Sequence, residues 1–203
     1  MRALVSLQNT SHALDVVVAS EFDDLAAYNI CEKYNIKRVD CIRSKAGPAY
    51  AWNMALKAAP NSDIYVLGSD DVEFMPGWLD EGLKVLQEQL NGSGLVAFNE
   101  GSRKVERTGF ATQYMMTRDF IIEHNGGVAA CPHYICDFTD VEASARAKKA
   151  NKFAYANNAI VKHNWRVIDD DGYRRADTRR SEARAVFKER EKNGFPDDYE
   201  RII

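Results

Sequence analysis

Two adjacent carboxylates, Asp70 and Asp71, follow the apolar run 63–68 (DIYVLG) and precede Val72-Glu73-Phe74-Met75-Pro76-Gly77-Trp78-Leu79. Paired acids at the end of a strand are costly unless something positive neutralises them. Hard oxygen ligands with an open coordination sphere suit magnesium or manganese bridging a diphosphate. A solvated turn, with aspartate capping the next helix, accounts for the same spacing. Spacing alone leaves both readings open. A third acid, Asp140, stands in Thr139-Asp140-Val141-Glu142. Thr-x-x-Glu is a capping box, with Thr139 as N-cap and Glu142 at N3, and that cap gives Asp140 no task. His163 closes the strand-like AIVKH. Its imidazole is an acceptable manganese ligand, and equally a structural side chain with satisfied hydrogen bonds.

Cys131-Pro-His133-Tyr-Ile-Cys136 invites a zinc reading, since thiolate and imidazole bind zinc. The spacing is not a standard zinc pattern and supplies no fourth ligand, so buried thiols are the expectation. Between Arg174 and Lys192 eight arginines and lysines stand against four acids. Arginines there could clamp a diphosphate bidentately as a lid; a solvated helix face is the expectation for most of them. Arg174 and Arg175, beside Tyr173 and ahead of the helix, are the lid candidates.

The elements that must position these residues alternate in type. Strands are expected at 14–20 (LDVVVAS), 37–42, 63–68 and 94–98. Helices are expected at 22–34, with Ala27, Ile30, Cys31 and Tyr34 on one side, and after Gly47-Pro48, with Trp52, Ala55, Leu56 and Ala59 as its stripe. A third covers 78–90, along Leu79, Gly82, Leu83, Leu86 and Leu90. Such alternation implies an α/β fold with a mostly parallel central sheet flanked by helices, whose ligands sit beyond the carboxyl ends of the strands. Beyond residue 101, short strands at 103–110, 114–116, 153–156 and 159–163 surround helices 118–124 and 140–150. A helix at 181–193 packs Ala183, Val186 and Phe187 on the body.

The stretch 47–80, GPAYAWNMALKAAPNSDIYVLGSDDVEFMPGWLD, resembles the central block of family 2 glycosyltransferases of the GT-A fold. That block has a glycine-led helix, a strand, an acidic DxD-type motif and a proline-glycine-tryptophan-leucine helix start. LDVVVAS with DDLAAYNICEKYNIKRVDCIR, TGFATQYMMTRDFIIEHNGG, and TDVEASARAKKANKFAYANNAIVKH are similar to further family blocks in the same order, over residues 3 to 165. The resemblance implies inverting, metal-dependent transfer of a sugar from a nucleotide-diphosphate sugar, here a UDP-sugar, to a hydroxyl acceptor. It implies Mn2+ or Mg2+ held by Asp71 and His163, and Asp140 as the general base. Asp70, Gly47, Pro48, Asn53, Arg174 and Arg175 fall on the donor side.

Three departures from the family stand out. Ser69 replaces an acid, and Trp52 stands where the family often has arginine. MRALVSLQNTSH resembles the helix after the family's first strand, so that strand and part of the base pocket are expected to be missing. The open flank of 14–20 is then expected to be covered by the C-terminal tail or by a second copy, as a homodimer. A sugar-nucleotide- or glycan-binding module with the same fold is the alternative function. A nucleotidyltransferase would need a glycine- and lysine-rich loop that is not present.

Composition narrows the rest. A net charge of −3 creates no field to recruit nucleic acid. No apolar run approaches the roughly 20 residues of a membrane span, and no signal-peptide pattern opens the chain. A cytoplasmic enzyme is expected, with residues 1–165 as the transferase domain and 166–203 as a charged tail packing on it.

Overall fold

The computed structural model describes residues 2–42, 47–101, 108–135, 137–164 and 171–203, with 171–179 given by backbone alone. The helices are α1 (Arg2–Ser6), α2 (Leu25–Tyr34), α3 (Pro48–Ala58), α4 (Trp78–Leu90), α5 (Arg118–His124), α6 (Thr139–Lys149) and α7 (Asp171–Lys192). The strands are β1 (Val17–Glu21), β2 (Lys37–Cys41), β3 (Ile64–Leu67), β4 (Val72–Phe74), β5 (Leu95–Asn99), β6 (Tyr114–Thr117) and β7 (Phe153–His163). Local chemistry sets many of the boundaries. Asp24 caps α2 by accepting from the Ala27 N–H, and Asn35 ends it in the left-handed region. Pro48 opens α3, where its missing N–H costs nothing. Thr117 caps α5 through the Phe120 N–H.

Five strands form one sheet in the order β3-β6-β5-β7-β4. β5 and β7 are parallel, whereas β6 is antiparallel to β3 and β5, and β4 is antiparallel to β7. The sheet is therefore mixed, which corrects the mostly parallel expectation. Two short reversals cause it. The turn after β3 sends β4 back to the far edge, and β6 inserts between β3 and β5. The runs 153–156 and 159–163 are one strand, β7, interrupted by an irregularity opposite Phe98 and Asn99.

β5 and β6 are the centre of the core, and Leu95, Val96, Ala97, Phe98, Tyr114 and Met116 have no solvent exposure. On one face Val96, Phe98 and Met115 meet Trp78, Leu79, Leu86 and Leu90 of α4. On the other, Leu95, Ala97, Tyr114 and Met116 meet Leu56 of α3, Phe120 and Ile121 of α5, and Ala143 and Ala147 of α6. Each such large side chain contributes about 1.5–3 kcal/mol on burial. Gly82 allows α4 to close on the sheet, since a Cβ there would lie 2.9 Å from the Phe98 ring.

β1 and β2 pair in parallel as a sheet of their own, and among the described residues no strand pairs with the other edge of β1. Among the described residues the C-terminal tail forms no strand pairing with that edge. It runs over the turn after α5, where Ile202 and Ile203 donate to the Gly127 carbonyl. Of the stripe expected on α2 only Cys31 is buried; Tyr34 is exposed, because the small β1–β2 sheet offers little surface to cover. α7 begins at Asp171, ten residues before the expected helix start, so Arg174 and Arg175 lie within it rather than ahead of it.

An ionic cluster fastens α7 to the body. Glu142, 1% exposed, accepts from Arg146 Nε (2.9 Å), Arg190 Nε (2.9 Å), Arg190 Nη2 (3.1 Å) and Tyr134 Oη (2.8 Å). Arg190 also donates to Asp198 (2.7 Å) and to the Pro196 carbonyl, and Arg146 to Asp197 (2.9 Å). Phe187, Phe195, Cys131 and Tyr134 pack around the cluster. One expectation is corrected here. The residue before α6 is Phe138, with no side-chain cap, so Thr139 is the first helical residue and Glu142 an ion-pair member. Arg190 is buried, because Glu142 offers it a carboxylate that burial would otherwise leave uncompensated.

Burial alone would push the Glu142 carboxyl up, but the hydrogen bonds from Arg190 and Tyr134 and the arginine charges outweigh it and leave it below its ordinary value of 4.5. A depressed carboxyl contributes stability that is full above that ordinary value and is lost as pH falls through the folded one. Glu142→Ala is expected to cost about 3–5 kcal/mol near neutral pH, the range for breaking a buried pair. In urea unfolding followed by circular dichroism, its deficit against the parent should shrink as pH drops below the ordinary value. A constant deficit across that range would contradict the charge argument.

Candidate active site

β3, β5 and β7 all run in the same direction, so their carboxyl ends share one rim of the sheet. Gly68 leaves β3 there, and Trp52 of α3 donates to its carbonyl at 3.0 Å. The indole thus supports the chain entering Ser69-Asp70-Asp71. Asp70 is exposed, while Asp71 is partly buried, with 26% of its side chain accessible. The antiparallel pairing of β4 with β7 places Val72 opposite His163. This register brings Asp71 Oδ2 within 2.9 Å of His163 Nε2, across 92 residues of sequence. Ser69 donates its hydroxyl to the other Asp71 oxygen.

Glu100, directly after β5, completes the cluster. It is 4% exposed, its Oε2 lies 3.7 Å from His163 Nδ1, and Thr112 donates its hydroxyl to the same oxygen. Burial would hold the His163 pKa down, but the hydrogen bond to Asp71 and the Glu100 carboxylate beside the ring prevail and push it up to about 9. For Asp71, burial raises the carboxyl, and the hydrogen bonds from His163 and Ser69 outweigh that and leave it lowered. The pair is therefore carboxylate and imidazolium at neutral pH. Sequence reading missed Glu100. Its signal was available, since it follows Asn99 at the end of an otherwise apolar strand, much as Asp70 and Asp71 follow β3.

Asp140 reaches the same rim from the opposite face. α6 packs Ala143 and Ala147 on the sheet, and its Ser144 bonds the Ala111 N–H just ahead of β6, so the start of α6 lies on the rim side. Asp140 sits in its first turn, with Oδ1 accepting from the Val141 N–H at 2.9 Å. The helix dipole favours negative charge there. Ser144 bonds both the Asp140 carbonyl (2.8 Å) and the Ala111 N–H (3.0 Å), tying the turn to the chain entering β6. Arg180 of α7 approaches Asp137 at 3.4 Å, three residues before Asp140.

The remaining residues fall elsewhere. Gly47 is needed where the chain meets the loop before α6, for a Cβ would lie 2.2 Å from the Ile135 carbonyl oxygen. Pro48 follows as the first residue of α3. Asn53 is buried and spends its amide on the backbone, donating to Ala130 O (2.7 Å) and accepting from the Ala129 (2.9 Å) and Ala130 (3.1 Å) N–H groups. The side chains of Arg174 and Arg175, and Cys136, lie outside what is described; Cys31, Cys41 and Cys131 are buried free thiols.

The donor chemistry at Asp71 and His163 fits magnesium or manganese, with one carboxylate and one imidazole facing each other and the exposed Asp70 alongside. Among the described residues no group of three or more histidine, cysteine, aspartate and glutamate side chains is gathered to hold a metal. Two protein donors leave most of a coordination sphere to oxygens from a ligand or water. Among the described residues no helix is long and apolar enough to cross a membrane.

No protein-family model and no curated protein matches the chain. Solved structures do. The chain superposes on Staphylococcus aureus TarS residues 1–349 with a TM-score of 0.63 at 15% identity, covering 79% of this chain and 54% of that one. A longer TarS structure gives 0.59 at 13% identity, covering 79% and 33%. The chain thus spans about half the length of the first structure. TarS is a glycosyltransferase, and at these identities the likeness to it is one of fold.

Proposed function

We propose that the protein is an inverting, metal-dependent glycosyltransferase of the GT-A type that moves a sugar from a nucleotide-diphosphate sugar, a UDP-sugar in the first instance, to a hydroxyl acceptor. The observation that carries this reading is the Asp71–His163 contact of 2.9 Å at the rim of a fold shared with a glycosyltransferase, with Asp140 in the first turn of α6. Asp71 and His163 would hold Mn2+ or Mg2+, His163 giving up its proton to do so, and Asp70 would meet the donor. When bound, the metal supplies positive charge to the leaving diphosphate. Asp140 takes the proton from the acceptor hydroxyl as that oxygen attacks the anomeric carbon. The bond to the diphosphate breaks on the opposite face. Proton transfer of this kind is worth about 10²–10⁴-fold. Arg174 and Arg175, on the first turns of α7, would close over the diphosphate.

A second reading, a sugar-nucleotide- or glycan-binding module without turnover, draws support from one observation: β1 and β2 form a sheet separate from the other five strands. The open edge of β1 and the exposed Phe22, Leu25 and Tyr28 beside it also support pairing with a second copy.

Calorimetric titration with UDP, GDP and dTDP should show binding that needs Mn2+ or Mg2+ and is lost in Asp71→Ala; equal affinity in chelator rules out the metal. Asp140→Asn should bind donor normally while transfer drops by at least about 10²-fold. Near-normal turnover in that variant removes Asp140 as the base, and binding without any turnover in the parent favours the second reading. Light scattering over a concentration series should reveal a dimer, and a monomer throughout would exclude pairing at β1.

A further inference from the structure

Tyr114 lies at the rim end of β6, in register with Leu67 of β3 and Ala97 of β5, at the centre of the sheet. It has no solvent exposure, and its hydroxyl has no hydrogen-bond partner among the described residues. A buried hydroxyl left unmade costs stability, and a phenylalanine of the same shape would avoid that cost. The position thus spends stability on an oxygen that the resting fold does not use.

Tyr114 shares one packed cluster with Ala143 and Ala147 of α6. Three residues upstream, the Ala111 N–H bonds Ser144 Oγ, which in turn donates to the Asp140 carbonyl. The first turn of α6 is therefore sewn to the chain that delivers Tyr114. Burial, and after it the negative charge of Asp140, push the Tyr114 phenol well above the ordinary tyrosine range. It is a proton donor at any physiological pH. Asp140, meanwhile, has one oxygen on its own helix at Val141.

We propose that Tyr114 is a positioning residue whose hydroxyl donates a hydrogen bond to the Asp140 carboxylate, holding it in the orientation that receives the acceptor's proton. The bond forms as Asp140 turns from the Val141 N–H toward the sheet. This rests on the reading of Asp140 as the base. It assigns to the floor of the site a side chain that does not touch the sugar, so its removal should change turnover and leave ligand binding alone.

Tyr114→Phe is the test. Its thermal midpoint is expected to equal or exceed that of the parent, with UDP affinity in Mn2+ and the KM for donor and acceptor unchanged. Its kcat is expected to fall at least about tenfold, within the range for orienting a base. A purely structural tyrosine would give the stability gain with no kinetic change, and a kcat within twofold of the parent overturns the proposal. Failure of the underlying reading looks different, because it appears as full turnover in Asp140→Asn. Should the parent show no turnover with the donors tried, a stability cycle decides. The change in midpoint from Tyr114→Phe is measured in the parent and in Asp140→Ala, each saturated with UDP and Mn2+. A larger gain in Asp140→Ala supports the hydroxyl–carboxylate bond, and equal gains overturn it.

Discussion

A single carboxylate almost wholly removed from water constrains much of this molecule. Glu142 lies between α6, α7 and the loop before α6, where an uncompensated charge would be untenable. Two arginines and a tyrosine answer it, and each comes from a different stretch of chain or helical turn. Satisfying that one charge therefore fixes the last turn of α7, the segment after it and the Tyr134 loop together. The same loop sets Ile135 against Gly47 at the head of α3. Electrostatics does here what a larger apolar interface does elsewhere in the fold.

The rim of the sheet shows the complementary use of charge. Asp71 and Glu100 leave two different strands, and His163 stands between them because β4 pairs with β7 in one register. Trp52 and Ser69 support the chain after β3, and Thr112 supports Glu100 after β5, without adding charge. Asp140 arrives from the other face on a rigid helix. The acidic groups thus approach one region from both sides of a sheet whose central strands are dry, and the fold keeps them apart from one another.

Some of this was legible in the sequence, for identifiable reasons. α4 was readable to the residue because its apolar positions recur at helical spacing between Gly77 and Asn91, both left-handed in the structure. α5 was equally plain, with Thr117 as cap. The direction of β6 was not legible. Its four residues are buried on both faces, so no alternation reveals orientation, and only pairing with β3 and β5 does. β4 is three residues long and becomes a strand only through β7. At the site, resemblance brought Asp71 and His163 together, whereas local spacing cast Glu142 as a cap. Arg146 is a local partner at i+4, but Arg190, which fastens α7, is 48 residues away and beyond any local rule.

The irregularity in β7 has a consequence for insertions and deletions. Between Phe98 and Asn99 of β5, the partner strand advances from Ala156 to Ile160, so residues 157–159 are supernumerary. An odd surplus reverses the alternation. Ala154 and Ala156 face the α4 side before it, and Ala159 and Val161 face that side after it, with His163 next in the series. Deleting one of the three would rotate every later side chain to the opposite face, carrying His163 away from Asp71. Removing two leaves a one-residue bulge and preserves the parity. Length variation in this hairpin-free stretch is thus quantised in pairs, and a chain engineered by trimming it must count residues before it counts contacts.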